Sequence, residues 1–313
     1  MAQDTSAQST TTAGARRRFH LSQRQIEELM AYLFISPWII GFLIFTLGAM
    51  IFSLGLSFFR TDLLSTWIFV GPNNYIALAQ DPLFLQSLKV TTIYTLATVP
   101  LSTIIALSIS LMLNQGVVFQ GGFRVIYYLP ALVTGVAVTI LWSWVLNPDT
   151  GLLNGLLRSL GVPRAALPRW FVSEQWALPS LILMSLWGAG ANMLLYLAGL
   201  QGIPTHLYEA ARIDGANPWQ QFWNITLPML SPTILLNMIM ATIWAFQVFA
   251  AAFILTNGGP ARSTLFYVYY LFNRAFVYFN MGYASAMAWL LFLIVLVLTV
   301  AQLRYSRKWV HYG

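Results

Sequence analysis

One short polar stretch of this chain has residue types and spacings suited to action rather than to filling space: Glu209-Ala210-Ala211-Arg212-Ile213-Asp214-Gly215-Ala216-Asn217-Pro218-Trp219. Glu209 and Arg212 stand three apart, the spacing at which side chains meet on one helix face, so they are expected to pair. Asp214 is placed to accept backbone donors at a turn. Gly215 sits where a helix ends in a left-handed residue, and Asn217 with Pro218 reads as an N-cap followed by a first-turn proline. The local expectation is a helix from Thr205 to Asp214, a sharp glycine turn and a second helix. It is too short and too charged to cross a membrane. Wedged between apolar segments, it is expected to project from the bilayer surface toward a soluble partner.

Other chemistries lack their residues. There is no cysteine, which removes thiolate catalysis, disulfides and Cys-based metal sites. His20, His206 and His311 are far apart and match no metal-ligand spacing. A phosphate-binding loop needs Gly-x-x-x-x-Gly-Lys with Ser or Thr, and neither Lys89 nor Lys308 has that context. The nine carboxylates sit in tails and loops, not paired within a span.

The elements that must position the polar stretch are apolar. With 58% hydrophobic and 8% charged residues in 313, the chain is far from the roughly one-quarter charged content of a soluble domain. Its apolar runs are continuous, which argues for membrane helices and against a barrel. Six spans are expected, at about 31–59, 87–113, 123–146, 176–200, 227–255 and 281–303. Residues 1–28 read as a disordered basic tail with an interfacial helix over Leu21–Met30, 29–307 as the transmembrane domain, and 308–313 as a second tail. The first apolar run is too long for a cleaved signal peptide. Asn147 to Gln175 reads as a hydrophilic connection long enough to touch a partner. Pro100 and Pro130 lie inside the second and third spans, and the Ser and Thr residues of the second can bond within their own helix.

The net charge of +7 comes from arginines scattered at segment ends, an orientation signal rather than a nucleic-acid face. Basic clusters at both ends place both termini in the cytoplasm. The stretch at about 204–222 is then cytoplasmic and the 147–175 connection lies outside.

Glu209-Ala210-Ala211, Asp214-Gly215-Ala216, Phe222, Ile225-Thr226-Leu227-Pro228 and Pro232 together resemble the EAA loop of binding-protein-dependent ABC importer permeases. The likeness to the sugar-type branch continues through Arg124 to Pro130, Leu141-Trp142, Asn154-Gly155, Thr256-Asn257-Gly258-Gly259-Pro260, Tyr269, Ala275-Phe276 and Gly282 to Ala286. The resemblance implies an all-α type I importer permease with six spans, in a bacterial or archaeal plasma (inner) membrane. It implies a second, related permease, two ATP-binding subunits and an extracytoplasmic solute-binding protein. ATP and Mg would be bound by the partner ATPase, leaving no cofactor in this chain. Glu209, Ala210, Ala211, Arg212, Asp214 and Gly215 would couple to that ATPase by holding a rigid helix against it.

A sugar needs hydroxyl-matching polar groups and aromatic faces. Ser185, Trp187 and Asn192 in the fourth span, and Asn237, Trp244 and Gln247 in the fifth, supply them. Ser185 and Asn192 are two helical turns apart. By resemblance to maltose-type permeases the three fourth-span residues align with sugar contacts, whereas the matching fifth-span positions, Ala241, Ala245 and Val248, are apolar. Many relatives also place an acid after Gln-Val-Phe, where this chain has Ala250-Ala251. The competing reading is an ion-coupled secondary carrier of a small polar solute; the span cores offer it no Asp, Glu or His. A membrane-embedded enzyme would need convergent catalytic groups, and a structural anchor would have no use for the EAA-like loop.

Overall fold

The computed structural model describes residues 22–65 and 67–310. The expected tail over 1–14, the Arg16-Arg17-Arg18 cluster, His20 and His311 lie outside the described residues.

The chain forms two compact units that meet at Ser53 and Leu54. In the first, helix α1 (Gln23–Gly41) runs through a π-helical segment (Phe42–Gly48) into α2 (Ala49–Leu56). Glu27–Leu56 is long and apolar enough to cross a membrane. Among the described residues the expected interfacial segment is continuous with this span from Gln23 onward, since no Gly or Pro interrupts the backbone ladder before Pro37.

The second unit opens with a two-stranded antiparallel hairpin, β1 (Phe59–Thr61) and β2 (Trp67–Phe69), with Arg60 opposite Ile68. A buried amide anchors it to α3 (Asn73–Gln80): Asn74 Nδ2 donates to the Ser57 and Phe59 carbonyls at 2.8 and 2.9 Å. Helix α4 (Pro82–Asn114) starts five residues before the expected second span. Asp81 caps it by accepting from Leu83 N at 2.9 Å, with Pro82 at the first position where its missing N–H costs nothing. Its hydroxyls bond within the helix as expected: Thr91, Thr95 and Thr98 each donate to the carbonyl four residues back at 2.8 Å.

The third span is not the single helix expected over 123–146. It is α5 (Gln120–Leu132) and α6 (Gly135–Val145), bent by 99°. Pro130 removes a ladder donor, and Val133 and Thr134 both turn extended before Gly135 starts the next helix. The connection beyond is also more ordered than its composition suggested. It contains α7 (Leu152–Ser159) and 3-10 turns at Arg164–Ala166 and Trp170–Val172. Asn154, fully buried, holds it closed: its amide donates to the Pro148 and Pro168 carbonyls at 2.8 and 3.0 Å and accepts from Trp170 Nε1 at 2.9 Å.

The fourth span comprises α8 (Glu174–Leu186), a 3-10 turn (Trp187–Ala189) and α9 (Gly190–Gln201). After α10 (Thr205–Ile213), helix α11 (Pro218–Gln221) passes through a π-helical segment (Phe222–Thr226) directly into α12 (Leu227–Phe246). The fifth span therefore runs over Pro218–Phe246 and breaks at Gln247, not at Leu255. No helix breaker marks that point. The chain instead folds Phe249 and Phe253 against Phe272, with ring centroids 5.0 and 5.6 Å apart. Helices α13 (Tyr267–Phe272) and α14 (Met281–Ser306) complete the unit. Gly282 lets α14 touch the hairpin, since a Cβ there would lie 1.7 Å from the Phe59 carbonyl oxygen.

Two apolar clusters sit toward opposite ends of α4. One gathers Leu78, Phe84, Tyr267 and Met287, the other Leu113, Met193, Tyr196, Ile203 and Leu230. Beside the first, Asp81 accepts from Tyr270 Oη, from Tyr283 Oη at 2.6 Å and from Arg274 Nη2 at 3.1 Å. The Arg274 guanidinium also lies over the Tyr270 and Tyr283 rings at 5.1 and 5.0 Å from their centroids. This knot joins the starts of α4 and α14 to α13.

Burial opposes charge on Asp81, but the Tyr270 and Tyr283 hydroxyls, the Leu83 amide and Arg274 hold its carboxyl below the usual carboxylate range. Burial and the hydrogen bond to Asp81 push Tyr270 up to about 12. With a depressed folded value, Asp81 contributes stability above the ordinary carboxylate range and loses it as pH falls through the folded value. Asp81→Ala should destabilise the second unit by about 1–3 kcal/mol, and Asp81→Asn by less. Thermal unfolding in detergent, followed by tryptophan fluorescence, checks this; an unchanged midpoint for Asp81→Ala at neutral pH refutes it.

Candidate functional site

The helix-turn-helix forms as its residues require. Gly215 has φ +80°, and Ala216 N donates to the Ala211 carbonyl at 2.8 Å while Gly215 N donates to the Arg212 carbonyl at 3.1 Å. This is the backbone closure of a glycine-terminated helix. Asn217 Oδ1 accepts from Gln220 N at 2.9 Å and Gln220 Oε1 accepts from Asn217 N at 2.8 Å, a reciprocal capping box at the start of α11. The α10 helix is held to the foot of α12 by Tyr208 Oη and Thr226 Oγ1 at 2.9 Å, with Leu207 and Ile225 packed into the neighbouring cluster.

Two details differ from expectation. Glu209 and Arg212, both exposed, form no ion pair among the described residues. Water competes well with a surface pair that must order two long side chains. The Asp214 carboxylate accepts nothing at the turn, because backbone carbonyls already satisfy the Gly215 and Ala216 amides. The outer face thus carries Glu209, Arg212 and Asp214 unpaired beside exposed Ile213 and Trp219, with Ala210 exposed and Ala211 half-buried.

A cavity of about 620 Å³ lies between α4, α8, α9 and α12. Its wall includes Thr98 and Ser102 of α4, Ser185 of α8, Asn192 of α9, and Asn237 and Trp244 of α12. Ser185 Oγ donates to the Ile182 carbonyl at 2.7 Å and Asn237 Nδ2 to the Thr233 carbonyl at 2.9 Å. Asn192 makes no hydrogen bond among the described residues, which leaves its amide available, and Trp244 is 66% exposed. Ala241, Ala245 and Val248 line the same wall. No Asp, Glu, His, Lys or Arg does.

Of the six candidate substrate residues, the structure brings four into this wall and leaves two out. Trp187 lines an adjoining 290 Å³ recess that shares Tyr94, Ser185, Gly188 and Val248 with the larger cavity, and meets Trp142 edge-on at 6.1 Å. It stands in the 3-10 turn between α8 and α9, where the tighter winding shifts the helical phase that sequence spacing assumed. Gln247 caps α12, exposed, at the unforeseen break.

Residues 98–311 match the family model described as binding-protein-dependent transport system inner membrane component. The chain is 45% identical over 290 residues to the probable ABC transporter permease protein YesP of Bacillus subtilis (strain 168), covering 91% of this chain and 93% of that one. It is 34% identical over 289 residues to the sn-glycerol-3-phosphate transport system permease protein UgpA of Agrobacterium fabrum, covering 91% and 97%. The lactose transport system permease protein LacF of Rhizobium radiobacter is 33% identical over 306 residues, covering 96% and 99%. Among solved structures, a chain of a bacterial alginate ABC transporter in complex with an alginate pentasaccharide-bound periplasmic protein superposes with TM-score 0.78 at 26% identity, covering 93% of this chain and 98% of that one.

Behind the cavity wall, α9 presses on α5 at Gly190, where a Cβ would stand 1.8 Å from the Tyr127 carbonyl oxygen. Gly188, two residues earlier, has open space around it. Gly190→Ala should therefore cost about 1–3 kcal/mol through overpacking against backbone, while Gly188→Ala costs little. Paired melting curves of the two variants check this, and equal midpoints would refute the contact.

Proposed function

The chain belongs to the family of binding-protein-dependent transport system inner membrane components, and on that premise we propose that it is a permease subunit of an ATP-driven importer that moves a sugar or sugar-like solute into the cytoplasm. One observation carries this reading: the elements that flank the glycine turn are continuous with the cavity walls. On one side, α10 follows α9, which bears Asn192. On the other, α11 runs unbroken into α12, which bears Asn237 and Trp244. A push on the helix-turn-helix therefore displaces two walls of the polar cavity together.

The outer face of α10 and α11 is the surface for an ATP-binding subunit, with exposed Ile213 and Trp219 as its apolar anchors. Two such subunits, a second related permease and a solute-binding protein on the far side of the membrane complete the machine. Both termini then lie in the cytoplasm. ATP closure and release in the partners would alternate the cavity between the two faces.

The free Asn192 amide and the Thr98 and Ser102 hydroxyls suit hydroxyl groups, and exposed Trp244 suits an apolar sugar face. The glycerol-3-phosphate and lactose transport of the relatives UgpA and LacF supports a polyhydroxylated solute. This wall contributes no Asp, Glu or His, so it carries none of the groups that commonly couple carriers to protons.

The test is ATPase activity of the assembled transporter in lipid, with solute-binding protein and a panel of sugars. Stimulation should require the loaded binding protein. Gly215→Val forces a β-branched residue into a left-handed conformation and should reduce that stimulation about tenfold or more, with assembly yield little changed. Equal loss of yield and stimulation would sink the coupling role, and transport driven by an ion gradient without ATPase activity would sink the importer. Asn192→Leu should lower transport of the stimulating sugar about tenfold with an unaltered melting midpoint; unaffected transport would remove Asn192 from the substrate path.

A further inference from the structure

The connection between the third and fourth spans encloses a second polar feature that the translocation cavity does not use. A recess of about 390 Å³ is walled by α7 and the segment 164–169, and three of its lining residues are Arg158, Arg164 and Arg169. A single carboxylate, Asp149, faces them. Arg158 is fixed: its Nε donates to the Asn154 carbonyl at 3.2 Å and its Nη2 to the Asp149 carbonyl at 3.0 Å. Arg164 and Arg169 are exposed and make no hydrogen bond or ion pair among the described residues. The frame beneath is rigid, since buried Asn154 ties Pro148, Pro168 and Trp170 together.

Three guanidiniums around one small recess repel one another unless an anion joins them. Their planar forks match a carboxylate bidentately. The faces of α7 decide between a lipid and a soluble source. Leu152, Leu156 and, just beyond the helix, Leu160 form an exposed stripe at four-residue spacing. Asn154 and Arg158 project from the opposite side of the same helix. If the leucines meet lipid or another permease, the recess faces water. It also lies at the end of the fourth span opposite the helix-turn-helix.

We propose that this recess is a carboxylate-binding site that receives an acidic side chain of the solute-binding protein. The inference rests on the importer reading, which sets α10 and α11 against the ATPase and leaves this end for the binding protein. Arg164 and Arg169 capture the carboxylate, and Arg158 fixes its orientation.

The experiment is binding of the solute-binding protein encoded with this transporter, loaded with the sugar that stimulates ATPase, to the complete transporter in lipid nanodiscs. Affinity is read at about 50 and about 300 mM NaCl, where screening differs strongly. Arg164→Glu with Arg169→Glu should weaken binding about tenfold or more at low salt and flatten its salt dependence. Arg164→Gln with Arg169→Gln should give an intermediate loss. ATPase activity without binding protein should be unchanged, showing that the variants assemble. An Asp or Glu on the binding protein changed to Lys should restore affinity to the Glu variants. Wild-type affinity in both double variants overturns the recess and leaves the importer standing. Failure of the wild-type transporter to bind any loaded binding protein overturns both. Weakening equal at both salt concentrations, with no charge-swap rescue, assigns the arginines to loop folding and overturns the carboxylate site.

Discussion

A backbone amide inside a membrane has no water to turn to, so every departure from helix must be satisfied by the protein or placed beside a cavity. This chain departs from helix within its spans at only a few places, and those places position its features. The break at Val133-Thr134 borders the recess that holds Pro130, Gly135 and Trp187. The 3-10 turn at Trp187–Ala189 separates the two helices that supply Ser185 and Asn192 to the larger cavity. The end of α12 at Gln247 brings Val248 into both cavities. Elsewhere the long helices stay helical, with π-helical segments at Phe42–Gly48 and Phe222–Thr226, and the threonine hydroxyls of α4 are absorbed by carbonyls one turn back.

Helical continuity elsewhere lets displacement travel. Helices α11 and α12 form one rod of 29 residues, and the Tyr208–Thr226 contact ties α10 to its foot. The glycine turn is stiff because its amides are bonded to backbone and its second helix opens on a reciprocal capping box. Glu209, Arg212 and Asp214, left without partners, are therefore not internal braces. Rigidity comes from the backbone closure and the capping box. At the other end, the Asp81 knot ties α4, α13 and α14 together through one carboxylate.

The two apolar clusters divide the labour along the same axis. The cluster around Ile203 and Leu230 sits beneath the helix-turn-helix, and the cluster around Phe84 and Tyr267 sits near the Asp81 knot and the ordered connection. Between them the cavity wall carries hydroxyls and amides but no carboxylate, imidazole, ammonium or guanidinium group. An uncharged wall avoids the high cost of holding bare charge in a low-dielectric setting when no solute is present. Arg164 and Arg169 lie in the surface connection, exposed to water.

The sequence by itself determined the membrane class, the near-complete count of spans, and the local geometry of the helix-turn-helix. These depend on neighbours in the chain: uninterrupted apolar runs, a glycine at a left-handed position, and Asn217-Pro218 at a helix start. It also placed Ser185, Asn192, Asn237 and Trp244 on helices that could face one space. Only the tertiary structure decided that Trp187 turns into a different recess, that Gln247 lies at a break, that α7 folds over Asn154, and that a short hairpin rests on Gly282. Each of these is set by contacts between segments distant in sequence, such as Asn154 with Trp170 or Gly282 with Phe59. A helical wheel counts residues at a constant 100°. It fails where a 3-10 turn or a bend changes that angle, and packing, not composition, decides where those changes fall.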